Sequence, residues 1–215
     1  MEISHEIDAM QQNILRMGAR VDTALRKTLA ALELHDYDLA AEVIREDSTI
    51  DAFQATIEDQ CTRIISTAHP DPADLRQLLV GIKISSSLER IGDHARHLAR
   101  RARVVTDPLF VEALPLVRRM AQIDTDMLHD SLTAYVQRDA GAARAIAARD
   151  DEIDALNNQL YRLLIGIMQE HPETIEKGIE LMMVNRFLER LGDHVTNICE
   201  WIVFATRNEH VELNA

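Results

Sequence analysis

The sequence predicts an all-α protein made of two tandem-repeated, antiparallel three-helix bundles, with six long helices in total. Its composition is the first reason: of 215 residues, 47% are apolar and only 4% aromatic, with seven Gly and five Pro. An aliphatic chain with so few helix breakers favours long, uninterrupted helices. A chain of this length can also bury a sizeable core without disulfide bonds or structural metals.

An internal repeat is the second reason. Residues 88–94 read Leu-Glu-Arg-Ile-Gly-Asp-His and residues 188–194 read Leu-Glu-Arg-Leu-Gly-Asp-His, with six of seven positions identical. Earlier in each copy, a shift of 103 residues aligns Met17 with Met120. The shift shortens to 100 across a proline turn, where loops absorb length changes at little cost. Almost the whole chain is therefore two copies of one unit, which we place at residues 1–107 and 108–215.

Apolar residues at three-and-four spacing define three helices in each unit. The first unit is predicted to hold helices over roughly 6–34, 37–68 and 73–105, and the second over roughly 111–137, 140–170 and 173–207. Asp71 and Pro72 supply an N-cap and a first-turn proline for the third helix. Pro115 lies inside the fourth, so that helix is expected to start late or kink. Short connections make sequential helices antiparallel.

Charge and composition exclude several classes of function. The formal net charge of −13 would repel a phosphate backbone, so direct nucleic-acid binding is not expected. No stretch approaches the ~18 apolar residues of a membrane span, and the N-terminus lacks the apolar core of a signal peptide. Cys61 and Cys199 are not equivalent between the repeats and form no CxxC pattern. We therefore expect a cytoplasmic protein that is not inserted in a membrane.

Pairs of acids recur at helical spacing in both repeats. Glu89 and Asp93 are four residues apart, and so are Asp47 and Asp51, which places each pair on one helix face. The two pairs lie equally far from Pro70 along the chain. Antiparallel packing of their helices therefore brings all four acids to the same level along the bundle axis. The second repeat has the equivalent acids Asp150, Asp154, Glu189 and Asp193. Because Glu89 and Asp93 lie off the apolar stripe of their helix, we expect the acids to face outward.

Four gathered carboxylates repel one another unless cations offset the charge. Oxygen-rich clusters suit Mg²⁺, Mn²⁺ or iron and, less typically, Zn²⁺. Gly92 and Gly192 would let a neighbouring backbone, a partner or a metal–water assembly approach. The alternative is that nearby arginines neutralise the acids as surface salt bridges; these are Arg45, Arg90, Arg149 and Arg190.

Two further sets of residues have ordinary structural interpretations. His94 and His194 follow the motif aspartates, and a hydrogen-bonding or packing role is favoured over metal ligation. A basic run in the third helix is expected to be a solvated helix end, with recognition of an acidic partner or anionic lipid as the alternative. That run comprises Arg96, Arg100, Arg101 and Arg103.

At these motifs the sequence resembles the PhoU family of phosphate-signalling regulators. The family is described as two repeated three-helix bundles with E(D)xxxD motifs on helices of each repeat. Here the motifs run from Asp47 to Asp51, Glu89 to Asp93, Asp150 to Asp154 and Glu189 to Asp193. Met17-Gly18 and the segment from His69 to Arg76 look like further family features, although the second repeat has Glu176 in place of Arg76.

The resemblance implies a cytoplasmic negative regulator that links the ATPase of the Pst phosphate transporter to a phosphate-sensing histidine kinase. It also implies a homodimer and multinuclear iron or zinc at the acidic motifs. Because the sequence has no nucleophile–base arrangement and no Gly-rich phosphate loop, we expect no enzymatic activity. Carried over, the metal ligands are Asp47, Asp51, Glu89, Asp93, Asp150, Asp154, Glu189 and Asp193. Two other classes stay open: a di-iron carboxylate enzyme, for which Asp126 and His129 have a similar spacing, and a helical scaffold that binds no metal.

Overall fold

The computed structural model describes residues 3–102 and 108–213. The first repeat contains α1 (Ile3–Leu34), α2 (Tyr37–Ala68) and α3 (Pro72–Ala99), and the second contains α4 (Leu114–Gln137), α5 (Ala140–Ala147), α6 (Asp150–Glu170) and α7 (Ile175–Arg207). Short 3-10 turns, Pro108–Ala113 and Pro172–Thr174, precede α4 and α7. The predicted all-α fold is confirmed. The prediction that the third helix continues to 105 was wrong, because α3 ends at Ala99 and residues 100–102 form a turn. The predicted repeat boundary at 107 lies outside the described residues.

Local sequence signals set most helix ends. The side chain of Asp71 accepts hydrogen bonds from the backbone N–H groups of Ala73 and Asp74, with Pro72 in the first turn, as the sequence predicts. Asp36 and Asp139, which are equivalent in the repeat, cap α2 and α5 in the same way. Pro115 is the second residue of α4, so this helix begins late at Leu114.

The prediction of one continuous helix over 140–170 was wrong. The helix is interrupted at Ala148 and Arg149, although both keep right-handed helical angles. The N–H of Arg149 donates to the carbonyl of Ile146 at 3.0 Å, three residues back, in place of the usual four. No Gly or Pro marks this point in the sequence. As a consequence, Asp150 is the first residue of α6.

The two repeats share one hydrophobic core and meet through α3 and α7. The rings of His94 and His194 stack with centroids 5.4 Å apart, and those of His97 and Phe187 stack at 4.9 Å. Since a later residue of α3 meets an earlier residue of α7, the two helices are antiparallel. The repeats are thus related by an approximate twofold axis that passes near the stacked histidines.

A second contact between the repeats joins α1 and α4. A β-carbon on Gly18 would lie 2.5 Å from Cδ1 of Leu132, so a larger residue here would require the side chain of Leu132 to move. None of the described helices is both long and apolar enough to cross a membrane.

Candidate functional site

The first acidic cluster consists of Asp47 and Asp51 on α2 and Glu89 and Asp93 on α3. Asp47 is buried, Glu89 and Asp93 are half-buried, and Asp51 is exposed. Burial raises the pKa of Asp47, and the charges of Asp51 and Asp93 raise it further. Burial raises the pKa of Glu89 as well, with the other three acids adding to the effect. The structure therefore brings together the four carboxylates that the sequence predicts to lie at the same level along the bundle axis.

Arg96 is the principal cation of the first acidic cluster. Its Nη1 lies 2.9 Å from Oδ2 of Asp47, and its Nη2 donates to Oδ1 of Asp93. The guanidinium thus bridges α2 and α3 and opposes the effect of burial on the pKa of Asp47. The prediction that Arg96 belongs to a solvated helix end was wrong, because it is the ion-pair partner of two motif acids.

The four arginines predicted to neutralise the acids behave differently from one another. Arg90 and Arg190 lie beside the Glu and Asp of their own motifs, at 3.4–3.8 Å. Arg149 instead pairs with Asp130 at 2.6 Å. Within the described residues, Arg45 forms no ion pair with these acids. Neutralisation by the predicted arginines is therefore partial and confined to the outer side of each motif.

The second acidic cluster consists of Asp150 and Asp154 on α6 and Glu189 and Asp193 on α7. Burial, together with the charges of the other three acids of the cluster, raises the pKa of Asp150 to about 7. Burial followed by the charge of Asp193 raises the pKa of Asp154 and of Glu189. The equivalent four carboxylates therefore also meet in the second repeat.

The prediction that the acids face outward was wrong for one residue of each cluster. Asp47 is only 7% exposed and Asp150 only 6%. The reason lies in the helical spacing, because Asp47 is four residues after Val43 and three before Ile50, and both of these are core residues. Of the eight motif acids, only Asp51 and Asp154 are exposed.

Both motif glycines serve close packing between helices of one repeat. A β-carbon on Gly92 would lie 2.9 Å from Cδ1 of Ile50 on α2. On Gly192 it would lie 2.2 Å from Oδ1 of Asp150 on α6. The space at these glycines is therefore filled by side chains of the preceding helix, and the expectation that it admits a partner or a metal–water assembly was wrong for these positions.

Asp124 on α4 is a fifth carboxylate beside the second acidic cluster, and the sequence interpretation missed it. It is 1% exposed, and neither oxygen accepts a hydrogen bond from the described part of the chain. Burial and the charge of nearby Asp150 raise its pKa well above the usual value. A signal existed, since Asp124 lies on the apolar stripe between Met120 and Leu128.

His94 and His194 pack against each other at the contact between the repeats. Burial, with a smaller effect of His194, lowers the pKa of His94 to about 4, so this imidazole is neutral at physiological pH. Its Nδ1 has no hydrogen-bond partner among the described residues. The arrangement supports the packing role that the sequence favoured.

Carboxylate oxygens make both clusters candidates for a hard or borderline cation. As the side chains stand, no three His, Cys, Asp or Glu groups in residues 3–102 and 108–213 converge on one point that could hold a metal ion. A cation would require the carboxylates to turn toward a common centre. The second cluster fits such a cation because Asp124 is buried without a partner, whereas Arg96 already bridges two acids in the first.

The fold and these clusters define a class of duplicated all-α proteins that carry a carboxylate-rich site in each repeat. Residues 14–102 and 117–202 each match the PhoU domain. The chain belongs to the PhoU family, and the resemblance seen in its motifs is confirmed.

Curated relatives match over nearly their whole length. A Zymomonas mobilis protein named "Phosphate-specific transport system accessory protein PhoU homolog" is 35% identical, over 98% of this chain and 92% of its own. A Borreliella burgdorferi protein of the same name is also 35% identical, over 99% of this chain and 98% of its own.

Solved structures confirm the fold. The phosphate transport system regulatory protein PhoU from Streptococcus pneumoniae superposes with a TM-score of 0.91 at 30% identity, covering 98% of this chain and 100% of that one. PhoU from Pseudomonas aeruginosa gives a TM-score of 0.92 at 29% identity, covering 97% of this chain and 100% of that one.

Proposed function

We propose that this chain is a regulator of phosphate uptake and phosphate-starvation signalling. The observation that carries the proposal is the match, over 98% of the chain, to a protein named as a phosphate-specific transport system accessory protein. On this proposal the protein is a cytoplasmic, non-enzymatic adaptor between the ATPase of the Pst phosphate transporter and a sensor histidine kinase. It restrains phosphate-starvation genes when phosphate is plentiful.

An adaptor needs surfaces for its partners, and two equivalent apolar pairs are exposed. Leu75 and Leu79 near the start of α3 are 45% and 41% exposed, and Ile175 and Ile179 near the start of α7 are 46% and 52% exposed. Because α3 and α7 are antiparallel, the two pairs lie toward opposite ends of the molecule. This placement supports binding to different partners, or to one partner and a second copy of the chain in a homodimer.

The acidic clusters supply the metal-binding part of the proposal. Iron or zinc is favoured, with magnesium or manganese as alternatives, and the ion would link helices of one repeat. The ligands are Asp47, Asp51, Glu89 and Asp93 in one site and Asp150, Asp154, Glu189 and Asp193 in the other.

Deletion of the gene tests the regulatory role. We expect a phosphate-starvation reporter to become active in phosphate-rich medium, and the wild-type gene to restore repression. Leu79→Glu and Ile179→Glu place a charge in each apolar pair, so each should lose capture of at least one partner in pull-downs with the transporter ATPase and the kinase. Tyr161→Glu, at another exposed position, is the control. An unchanged reporter in the deletion strain would contradict the proposal.

The di-iron enzyme alternative has little support from the geometry. Such sites need ligands that face into the bundle. Here Oδ1 of Asp126 accepts a hydrogen bond from Gln122 at 2.8 Å, and His129 is exposed. Oxygen- or peroxide-dependent turnover by the iron-loaded protein would revive this alternative.

A further inference from the structure

The two acidic clusters differ at a position that follows the repeated motif. Arg96 comes three residues after Asp93, and the same place after Asp193 is taken by Thr196. Arg96 bridges Asp47 and Asp93, so the first cluster carries its own internal cation. Thr196 is fully buried, and its hydroxyl has no partner among the described residues. A neutral hydroxyl thus replaces the positive charge in the second cluster.

A second difference comes from the first helix of each repeat. The shift of 103 residues pairs Asp124 on α4 with Val21 on α1, and both are buried. A β-carbon on Gly192 would meet Oδ1 of Asp150 at 2.2 Å and Oδ1 of Asp124 at 3.4 Å, so the two oxygens flank the same point. The second cluster therefore gains a carboxylate at the place where the first has an apolar side chain.

Both differences change the charge in the same direction. The first cluster has four carboxylates, two of which are bridged by the guanidinium of Arg96. The second has five carboxylates, and among the described residues no cation pairs with Asp150 or Asp124. Arg190 lies against Glu189 and Asp193, on the outer side. Buried carboxylates without partners are stable only when protonated or when a cation binds them.

We propose that the second cluster is the primary cation site, with Asp124 as a fifth carboxylate ligand, and that Arg96 occupies the first cluster in place of a metal ion. The ligand is a divalent or trivalent cation that prefers oxygen. This inference rests on the metal-binding part of the proposed function. Asp124 comes from α4, so a cation at the second cluster ties α4 to α6 and α7, and the first cluster binds one only by displacing Arg96.

Titration of the full-length, chelator-stripped protein with Mn²⁺ tests the inference, with free Mn²⁺ followed by electron paramagnetic resonance. We expect binding in two steps, the tighter of which is lost in Glu189→Ala plus Asp193→Ala. Asp124→Val, which installs the residue of the first repeat, should weaken the tight step at least tenfold. Asp126→Asn, two residues along the same helix, should leave it unchanged. Arg96→Thr should strengthen the weak step at least tenfold.

Circular dichroism shows whether each variant is folded. Asp124→Asn keeps the shape of the side chain, so its effect on binding does not come from a folding defect. Arg96→Thr tests the other repeat independently. Two equal steps in the wild type, with no response to Asp124→Asn or Arg96→Thr, would overturn the inference but leave the metal-binding proposal intact. Failure of the wild type to bind Mn²⁺, Fe²⁺ or Zn²⁺ would overturn both.

Discussion

Asp47 and Asp150 occupy the same place in the two repeats but have different electrostatic surroundings. Burial raises the pKa of Asp47, and Arg96 opposes this effect. Burial and the charges of four neighbouring acids together raise the pKa of Asp150 to about 7, and no cation opposes them. In the metal-free protein, the second acidic cluster therefore retains a proton close to neutral pH.

This retained proton makes the stability of the metal-free protein depend on pH. The pKa of Asp150 is higher in the folded than in the unfolded state, so its contribution is fully present below pH 4 and is lost as pH rises through about 7. Between pH 4 and pH 8, the free energy of unfolding of the wild type should fall relative to that of Asp150→Asn by roughly 2–4 kcal/mol. Urea denaturation in the presence of chelator measures the difference, and parallel pH profiles would contradict the assignment.

The individual carboxylates of each motif were predictable, but their complete surroundings were not. Repetition at helical spacing singled out eight acids. Asp124 was not identified from the sequence because its counterpart in the first repeat is Val21, which is not acidic. Arg96 was not identified because it was grouped with a charged helix end. A comparison of equivalent positions in the two repeats would have identified both residues. A position that differs between two otherwise equivalent sites indicates a difference in their chemistry.

Helix packing at the motifs depends on two glycines that are equivalent in sequence but not in their neighbours. Gly92 on α3 faces the flexible tip of Ile50 on α2. Gly192 on α7 faces the buried carboxylate of Asp150 and the side chain of Ile153 on α6. The same substitution should therefore have different costs in the two repeats.

We expect Gly192→Ala to lower the free energy of unfolding by about 1–3 kcal/mol, because its β-carbon overlaps Asp150. In Gly92→Ala, a small movement of Ile50 relieves the contact, and the better helix propensity of alanine, about 1 kcal/mol, offsets much of the remaining cost. Chemical denaturation of both variants compares them directly. Equal losses of stability would show that the carboxylate does not limit the approach of α6.

Apolar spacing predicted the helices well, and two local features lay beyond it. Asp71 and Pro72 marked the start of α3, and Pro115 marked that of α4. The interruption at Ala148 and Arg149 had no such mark, because both residues keep helical angles and only the hydrogen-bonding pattern changes. Similarly, pairing the acids by helical spacing did not reveal that Asp47 also lies between the core residues Val43 and Ile50, which buries it.

At the scale of the whole molecule, the duplication becomes an approximate twofold arrangement about the contact between His94 and His194. The internal repeat predicted two equivalent units, but not the surfaces through which they meet. Phe187, which stacks on His97, corresponds to Ser87 in the first repeat, so the interface uses residues outside the repeated pattern. The two acidic clusters flank this shared contact, and each lies within a single repeat.

The most direct test of the account is the metal content of protein purified without chelator, measured by inductively coupled plasma mass spectrometry. We predict bound iron or zinc in the wild type. Glu89→Ala plus Asp93→Ala should remove the smaller part of this bound metal. Glu189→Ala plus Asp193→Ala should remove the larger part. The combined variant should retain only background metal. Identical metal content in the wild type and the combined variant would contradict the central claim that the duplicated acidic motifs are cation sites.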